Sequence, residues 1–351
     1  MIPIIDHILG RFSYDLGIDL GTANTLVHVR GKGIVIREPS IVAFHKKTKK
    51  IIAVGVDAKR MIGRTPKNIE AIRPLREGVV ADYDTTAAML SYFIKKVHQR
   101  PGKNINFARP KVIIGIPTQI SGVERRAVLD AARESGARQA YLVEEPMAAA
   151  IGAGLPVEEA VGSMIVDIGG GTCEIAVISL GGIVVGKSLK IAGDFMDRDI
   201  IAYIRSRWSL AIGEATAEEI KKLLGSAYPF TVEKEMIIRG RDLEKGLPKS
   251  VRVTSGGIRE ALSGGIGAIV EAIRDTVLDC PPELATDIAE RGIMLCGGGS
   301  QISGLAKLIS KETKMPVSIA DEPLSCVVLG CAKLLDNPKL LSKVKIVKVT
   351  D

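Results

Sequence analysis

A strand that ends in Asp-x-Gly and breaks into a short polar turn occurs twice in this chain of 351 residues, about 148 positions apart. The first copy runs Gly17-Ile-Asp-Leu-Gly-Thr-Ala-Asn-Thr-Leu-Val-His-Val, then Arg30-Gly-Lys-Gly, then Ile34-Val-Ile. The second runs Ile165-Val-Asp-Ile-Gly-Gly-Gly-Thr-Cys-Glu-Ile-Ala-Val, then Leu180-Gly-Gly, then Ile183-Val-Val. Asp19 matches Asp167, and Gly21 matches Gly169. Each copy reads as strand, tight turn, strand, hairpin, strand, so each half opens on a short antiparallel meander. A duplication of this kind restricts the chain to a fold with two related halves.

The stretches that follow each copy alternate strand and helix. Val112-Ile-Ile-Gly-Ile is a buried strand in pattern. Ser121 with Glu124 forms a capping box that opens a helix over Gly122–Glu134, and Gly136 closes it. Pro281-Pro282 starts a helix that ends at Gly292, and Ile293-Met-Leu-Cys is the next strand. The expected fold class is therefore α/β, two domains with mixed sheets flanked by helices. Aromatic residues are only 4%, so Ile, Val, Leu and Ala must build these sheets. Two charged, turn-rich stretches read as insertions. The expected division is 1–38 with 78–152 as the first core and 39–77 as its inserted subdomain. The second core is 153–194 with 256–335, its insertion is 195–255, and 336–351 is a basic tail.

The two glycine turns suit phosphate. Glycines let backbone N–H groups approach phosphate oxygens without a Cβ in the way. The first loop offers Gly21, Thr22, Ala23 and Asn24; the second offers Gly169, Gly170, Gly171 and Thr172. Asp19 and Asp167 end their strands where a hydrated Mg²⁺ would lie between the loops. One such loop is an ordinary turn; two related copies point to a nucleotide held between the halves. Glu145 precedes Pro146 at the start of an alanine-rich helix, where a carboxylate can orient a water or merely offset the helix dipole. Gly297, Gly298, Gly299 and Ser300 offer a flat backbone to a purine or ribose, or form a plain strand-to-helix turn. Thr216–Lys222 reads as a helix with Glu218 and Lys221 on one face and Glu219 beside them.

Composition narrows the class. The net charge of +8 admits an anionic surface as partner, but no interleaving of aromatic and basic residues points to nucleic acid. Five cysteines without C-x-x-C spacing fit a reduced cytoplasmic protein with no zinc site. The most apolar stretch, Ser163–Val185, is broken by Asp167, Glu174 and glycines and cannot span a bilayer as a helix.

Together these motifs resemble the MreB family of bacterial actins, within the superfamily of actin, sugar kinases and heat-shock chaperone ATPases. Asp19–Thr25 is similar to that family's first phosphate motif and Asp167–Glu174 to its second. Glu144–Gly154 is similar to its connecting helix, and Gly297–Ser300 to its adenosine motif. The resemblance implies the duplicated actin-like ATPase fold closing on ATP and Mg²⁺. It implies Glu145 as the catalytic residue, and Glu218, Glu219 and Lys221 near ribose and adenine. It also implies ATP-linked polymerisation into paired protofilaments on the inner membrane face, acting with cell-wall elongation proteins to set cell shape. Cys173, Trp208 and Ser300-Gln-Ile-Ser depart from the family pattern. Rival readings are a sugar-kinase-like phosphotransferase, which lacks a visible catalytic Asp, a heat-shock chaperone ATPase, and a dinucleotide-binding enzyme.

Met1, Ile4, Ile5, Ile8, Leu9 and Phe12 fall on one helical face, which suits an interfacial membrane helix or docking on the protein's own core. Ile105 and Phe107, among Lys103 and Arg109, resemble the family's hydrophobic membrane loop. Lys339–Lys348 adds basic charge that favours anionic lipid.

Overall fold

The computed structural model describes residues 13–98 and 109–344. The first repeat forms β1 (Leu16–Leu20), β2 (Asn24–Val29) and β3 (Gly33–Pro39). They pair antiparallel, with Asp19 opposite Leu26 and a bulge between Val27 and His28. β4 (Val42–His45), β5 (Ile51–Val54) and β6 (Ile69–Ile72) make a small sheet in the order β5-β4-β6. Helix α1 (Val56–Met61) joins it through a miniature core of Ile41, Ala43 and Ala58. A ribbon of β7 (Leu75–Arg76) and β8 (Val79–Val80) leads to α2 (Tyr83–His98).

β9 (Lys111–Ile116), α3 (Gly122–Glu134), β10 (Gln139–Glu144) and α4 (Glu145–Ala153) follow. The capping box is made: Ser121 accepts from the Glu124 N–H while the Glu124 carboxylate accepts from the Ser121 N–H. β9 lies parallel to β1 and β10 parallel to β9, so the main sheet runs β10-β9-β1-β2-β3. Its core gathers Leu16, Ile18, Val112 and Ile114 from the strands and Phe93 from α2.

The second repeat forms β11 (Ser163–Ile168), β12 (Cys173–Ser179) and β13 (Gly182–Leu189). Next come α5 (Gly193–Trp208), β14 (Leu210–Ala211), α6 (Glu214–Leu224), β15 (Glu235–Asp242) and β16 (Pro248–Thr254). β14, β15 and β16 make a three-stranded sheet in that order. Then follow α7 (Ser255–Leu278), α8 (Pro282–Arg291), β17 (Ile293–Cys296), α9 (Leu305–Thr313), β18 (Val317–Ile319), α10 (Cys326–Asp336) and α11 (Pro338–Lys343). The larger sheet runs β13-β12-β11-β17-β18. That order repeats the first sheet strand for strand. Asp19 faces Gly115 on its parallel neighbour, and Asp167 faces Cys296 on its own. The duplication is thus a duplication of topology.

Contacts divide the chain into two compact units. One holds the described residues of Met1–Val161, Ile178–Val184 and Leu324–Asp351; the other holds Gly162–Val177 and Val185–Pro323. The expected second core, 256–335, therefore needs correcting at its end. Helix α10 returns to the first unit because its small-residue face fits α4. A Cβ on Gly330 would lie 1.8 Å from the Ala148 carbonyl oxygen, and one on Gly152 would lie 1.8 Å from that of Cys326. Lys333 Nζ then caps α4 at the carbonyls of Ile151 and Gly152, at 2.8 and 3.1 Å. The obstacles are backbone atoms, so Gly152→Ala is expected to cost about 3 kcal/mol or more, the upper range for overpacking. A denaturant midpoint within error of the parent would contradict this close approach. Among the described residues, no helix is long and apolar enough to cross a membrane.

Candidate functional site

The first half-site sits where β1 ends. Gly21 has no room for a side chain, since its Cβ would lie 2.8 Å from the Asn24 carbonyl oxygen. Thr22 is buried and Asn24 exposed at the start of β2. Ser40, just beyond β3, braces the loop. Its hydroxyl donates to the Gly21 carbonyl at 2.5 Å and its N–H to the Ala23 carbonyl at 3.0 Å. Because that single hydroxyl proton goes to Gly21, the Thr25 hydroxyl must donate to Ser40 Oγ, at 2.8 Å. Ser40 and Thr25 are fully buried. Ser40→Ala leaves two buried polar atoms short of a partner and is expected to lower stability by about 1–2 kcal/mol. Thermal unfolding of the variant checks this; an unchanged midpoint would mean the loop holds itself.

Glu145 opens α4 and is 8% exposed. Its stem passes over Gly115, where an added Cβ would meet Glu145 Cγ at 3.7 Å and Val327 Cγ1 at 2.6 Å. Asp19 and Glu145 converge on one buried thiol. Burial pushes Cys331 well above the usual thiol range, and the carboxylates of Asp19 and Glu145 push it further. Glu144 lies 3.9 Å from Arg125, in a half-buried pair.

The second half-site repeats the first with more glycine. The Gly169 N–H donates to the Thr172 carbonyl at 2.9 Å, which closes the turn. Asp167 is buried at the end of β11. Burial first, and then the neighbouring Glu174 carboxylate, push its carboxyl up to about 7. Glu174 is itself buried and accepts from the Ser188 hydroxyl at 2.7 Å. Gly297 has φ +78°, and a Cβ there would lie 2.4 Å from both Asp167 Oδ1 and the Ile168 carbonyl oxygen. Gly298–Gln301 winds into a short 3₁₀ turn, and the Ser300 hydroxyl donates to the Gly297 carbonyl at 2.7 Å. The glycine triplet is therefore packed against the second loop's strand.

On helix α6 the side chains expected near ribose and adenine have these surroundings. Glu218 pairs with Lys222 at 2.6 Å, and Glu219 is exposed. Lys221 turns inward to Asp197, at 2.9 Å, and to the Gly193 carbonyl, at 2.8 Å. Ser40, Asp197 and Cys331 were not legible as site residues. Ser40 meets Gly21, Asp197 meets Lys221 and Cys331 meets the Ile18 carbonyl through contacts distant in sequence, with no local motif to mark them. Met1, Ile4, Ile5, Ile8, Leu9, Phe12, Ile105 and Phe107 lie outside the described residues.

Residues 13–343 match the family described as MreB/Mbl protein. The chain is 51% identical over 333 residues to the cell shape-determining protein MreB of Escherichia coli K12, covering 93% of this chain and 94% of that one. Two solved structures of MreB5 of Spiroplasma citri are each 38% identical to it. The one bound to ADP has TM-score 0.87 and covers 92% of this chain and 96% of its own. The one bound to AMPPNP has TM-score 0.86 and covers 93% and 97%.

Proposed function

The chain belongs to the MreB/Mbl family, and from that premise we propose that it is an actin-like ATPase that polymerises into membrane-associated filaments and helps set cell shape. The observation that carries this reading is the repeated cradle. Both units end a buried strand in Asp-x-Gly, and both leave no space for a Cβ beside that strand, at Gly21 and at Gly297. Backbone N–H groups at such a place serve phosphate oxygens. Each loop offers donors to the phosphates of ATP, with Thr22 and Asn24 adding theirs in the first and Thr172 in the second, and Gly297–Ser300 serves the nucleoside.

Mg²⁺ fits the donor set. Asp19 and Asp167 supply the oxygen ligands that it takes, largely through water. Asp167, held up to about 7 beside Glu174, is a carboxylate that a nearby cation would return to its charged form. Bound there, Mg²⁺ supplies charge neutralisation of the phosphates. Glu145 orients the attacking water and accepts its proton. Turnover is slow and coupled to assembly, so the chief partner is a second copy of the chain. The filament lies on the inner face of the cell membrane, in paired protofilaments, beside the cell-wall elongation proteins.

Sedimentation and electron microscopy of the purified chain with ATP, with and without liposomes, together with phosphate release, test this reading. Filaments that require nucleotide support it. Phosphate transferred to a sugar in a coupled assay, without filaments, would select the sugar-kinase alternative.

A further inference from the structure

We infer that Ser40 is a positioning residue for the first phosphate loop, whose two bonds to that loop aim the N–H groups of Thr22 and Asn24 at a phosphate. The inference rests on the reading of Gly21–Asn24 as a phosphate cradle.

Two peptide planes carry the aim. The Gly21 carbonyl accepts from the Ser40 hydroxyl at 2.5 Å, and the Ala23 carbonyl accepts from the Ser40 N–H at 3.0 Å. Among the described residues no peptide bond is cis. A trans peptide is planar, and its N–H points opposite to its C=O. Holding the Gly21 carbonyl therefore turns the Thr22 N–H away from Ser40. Holding the Ala23 carbonyl does the same for the Asn24 N–H. One residue thus orients two donors of the loop. Backbone alone cannot do both, because Ser40 has a single N–H and Ala23 takes it. The second half makes the matching bond from the matching place. Gly169, the counterpart of Gly21, has its carbonyl held by the Gly193 N–H at 3.1 Å, a few residues beyond β13. Both repeats tie the glycine of Asp-x-Gly to the chain that follows their third strand, and the first does so with a hydroxyl.

Ser40 is itself held from both sides. The Thr25 hydroxyl donates to its Oγ at 2.8 Å, so the group that grips Gly21 is polarised by a second hydroxyl, and both are fully buried. Before Ser40, Pro39 ends β3 opposite Asn24. After it, Ile41 is buried in the small core with Ala43 and Ala58, and its carbonyl accepts from the Gly55 N–H at 2.9 Å. Gly55 has no room for a side chain because the Glu38 carboxylate fills that space, and Glu38 is held by Lys96 Nζ at 2.5 Å. Ser40 therefore sits at a fixed junction between the main sheet and the inserted one. A hydroxyl held in this way keeps its direction before any ligand arrives, which is what preorganised donors require.

Ser40→Ala releases the Gly21 carbonyl and keeps the bond to Ala23. In the full chain with magnesium, AMPPNP affinity is expected to fall about tenfold, the scale of one hydrogen bond to a charged group. Ser40→Cys keeps the shape with a weaker donor, so its loss falls between parent and alanine, and it stands in should the alanine variant not fold. Leu129→Met is the control for stability alone. Leu129 is fully buried on α3, which packs on β10 at the sheet edge opposite β3. That swap costs a comparable amount of stability and should leave AMPPNP affinity within about twofold of the parent. With AMPPNP at saturation, the Thr22 and Asn24 amides are expected to be protected from hydrogen exchange in the parent and in Leu129→Met, and to lose most of that protection in Ser40→Ala. Parent-like affinity or parent-like protection in Ser40→Ala would overturn the inference. An equal loss of affinity in Leu129→Met would also overturn it, by reducing Ser40 to a residue of general stability. A parent protein that binds no AMPPNP would instead remove the nucleotide reading underneath, and the inference with it.

Discussion

Glu145→Ala is expected to slow ATP hydrolysis by about 10²-fold or more while leaving AMPPNP affinity within a few-fold of the parent. A factor of 10² is about 2.7 kcal/mol of transition-state stabilisation, the scale of one acid–base group. The asymmetry between the two measurements follows from the side chain's chemistry. A carboxylate has no donor for a phosphate oxygen, so it contributes little to ground-state binding. In the proposed role it acts on the water, whose proton must go somewhere as the bond to phosphorus forms. The site is built to hold it. Glu145 is the first residue of α4, next to Pro146, and is almost wholly buried over Gly115. The far end of α4 is held by Lys333 and the glycine contacts of α10. Truncation at residue 145 removes none of those contacts, so the helix stays in place. Glu145→Gln separates the two parts of the role. It keeps an oxygen that orients water but cannot take the proton, so it should be nearly as slow as the alanine variant. Single-turnover hydrolysis and calorimetric titration read both quantities. Unchanged turnover would remove Glu145 from the mechanism, and parallel losses in rate and affinity would make it a structural residue.

Local patterns carried most of what the sequence disclosed. The repeat was legible because each loop, its strand and its hairpin are contiguous, and the sheet orders match as the repeat requires. The α3 cap was legible because Ser121 and Glu124 satisfy each other within one turn. What stayed hidden is what the chain assembles from afar. Helix α10 looks like the next element of the second half, and only its fit against Gly152 and Ala148 returns it to the first. Lys221 sits on a face that reads as solvated, yet its partner Asp197 lies on another helix. Ser40 follows Pro39 in what reads as the start of an insertion, and nothing local ties it to Gly21. Ser40 braces the first loop and α10 packs on the helix that bears Glu145, so what stayed hidden is the support of those elements.

Deleting residues 1–12 is expected to abolish co-flotation with anionic lipid vesicles and to leave ATP-dependent filament formation intact. The six apolar side chains of that face, each partly buried at ~1 kcal/mol, give roughly 6 kcal/mol before ordering costs. The remainder corresponds to a dissociation constant near the millimolar range, too weak to hold a single subunit. A filament changes the arithmetic. Once one helix is in the bilayer, its neighbours act at the high effective concentration that the polymer fixes, and avidity rises by orders of magnitude without a new contact. The full chain should therefore float weakly without nucleotide and strongly once ATP has assembled it. The truncated chain should pellet as filaments with ATP but fail to float. Truncated filaments that still float would move the anchor to Ile105 and Phe107, and a double substitution there to Ser would then have to release them. Loss of filaments on truncation would mean that these residues pack within the polymer, leaving the membrane to the basic charge of the chain.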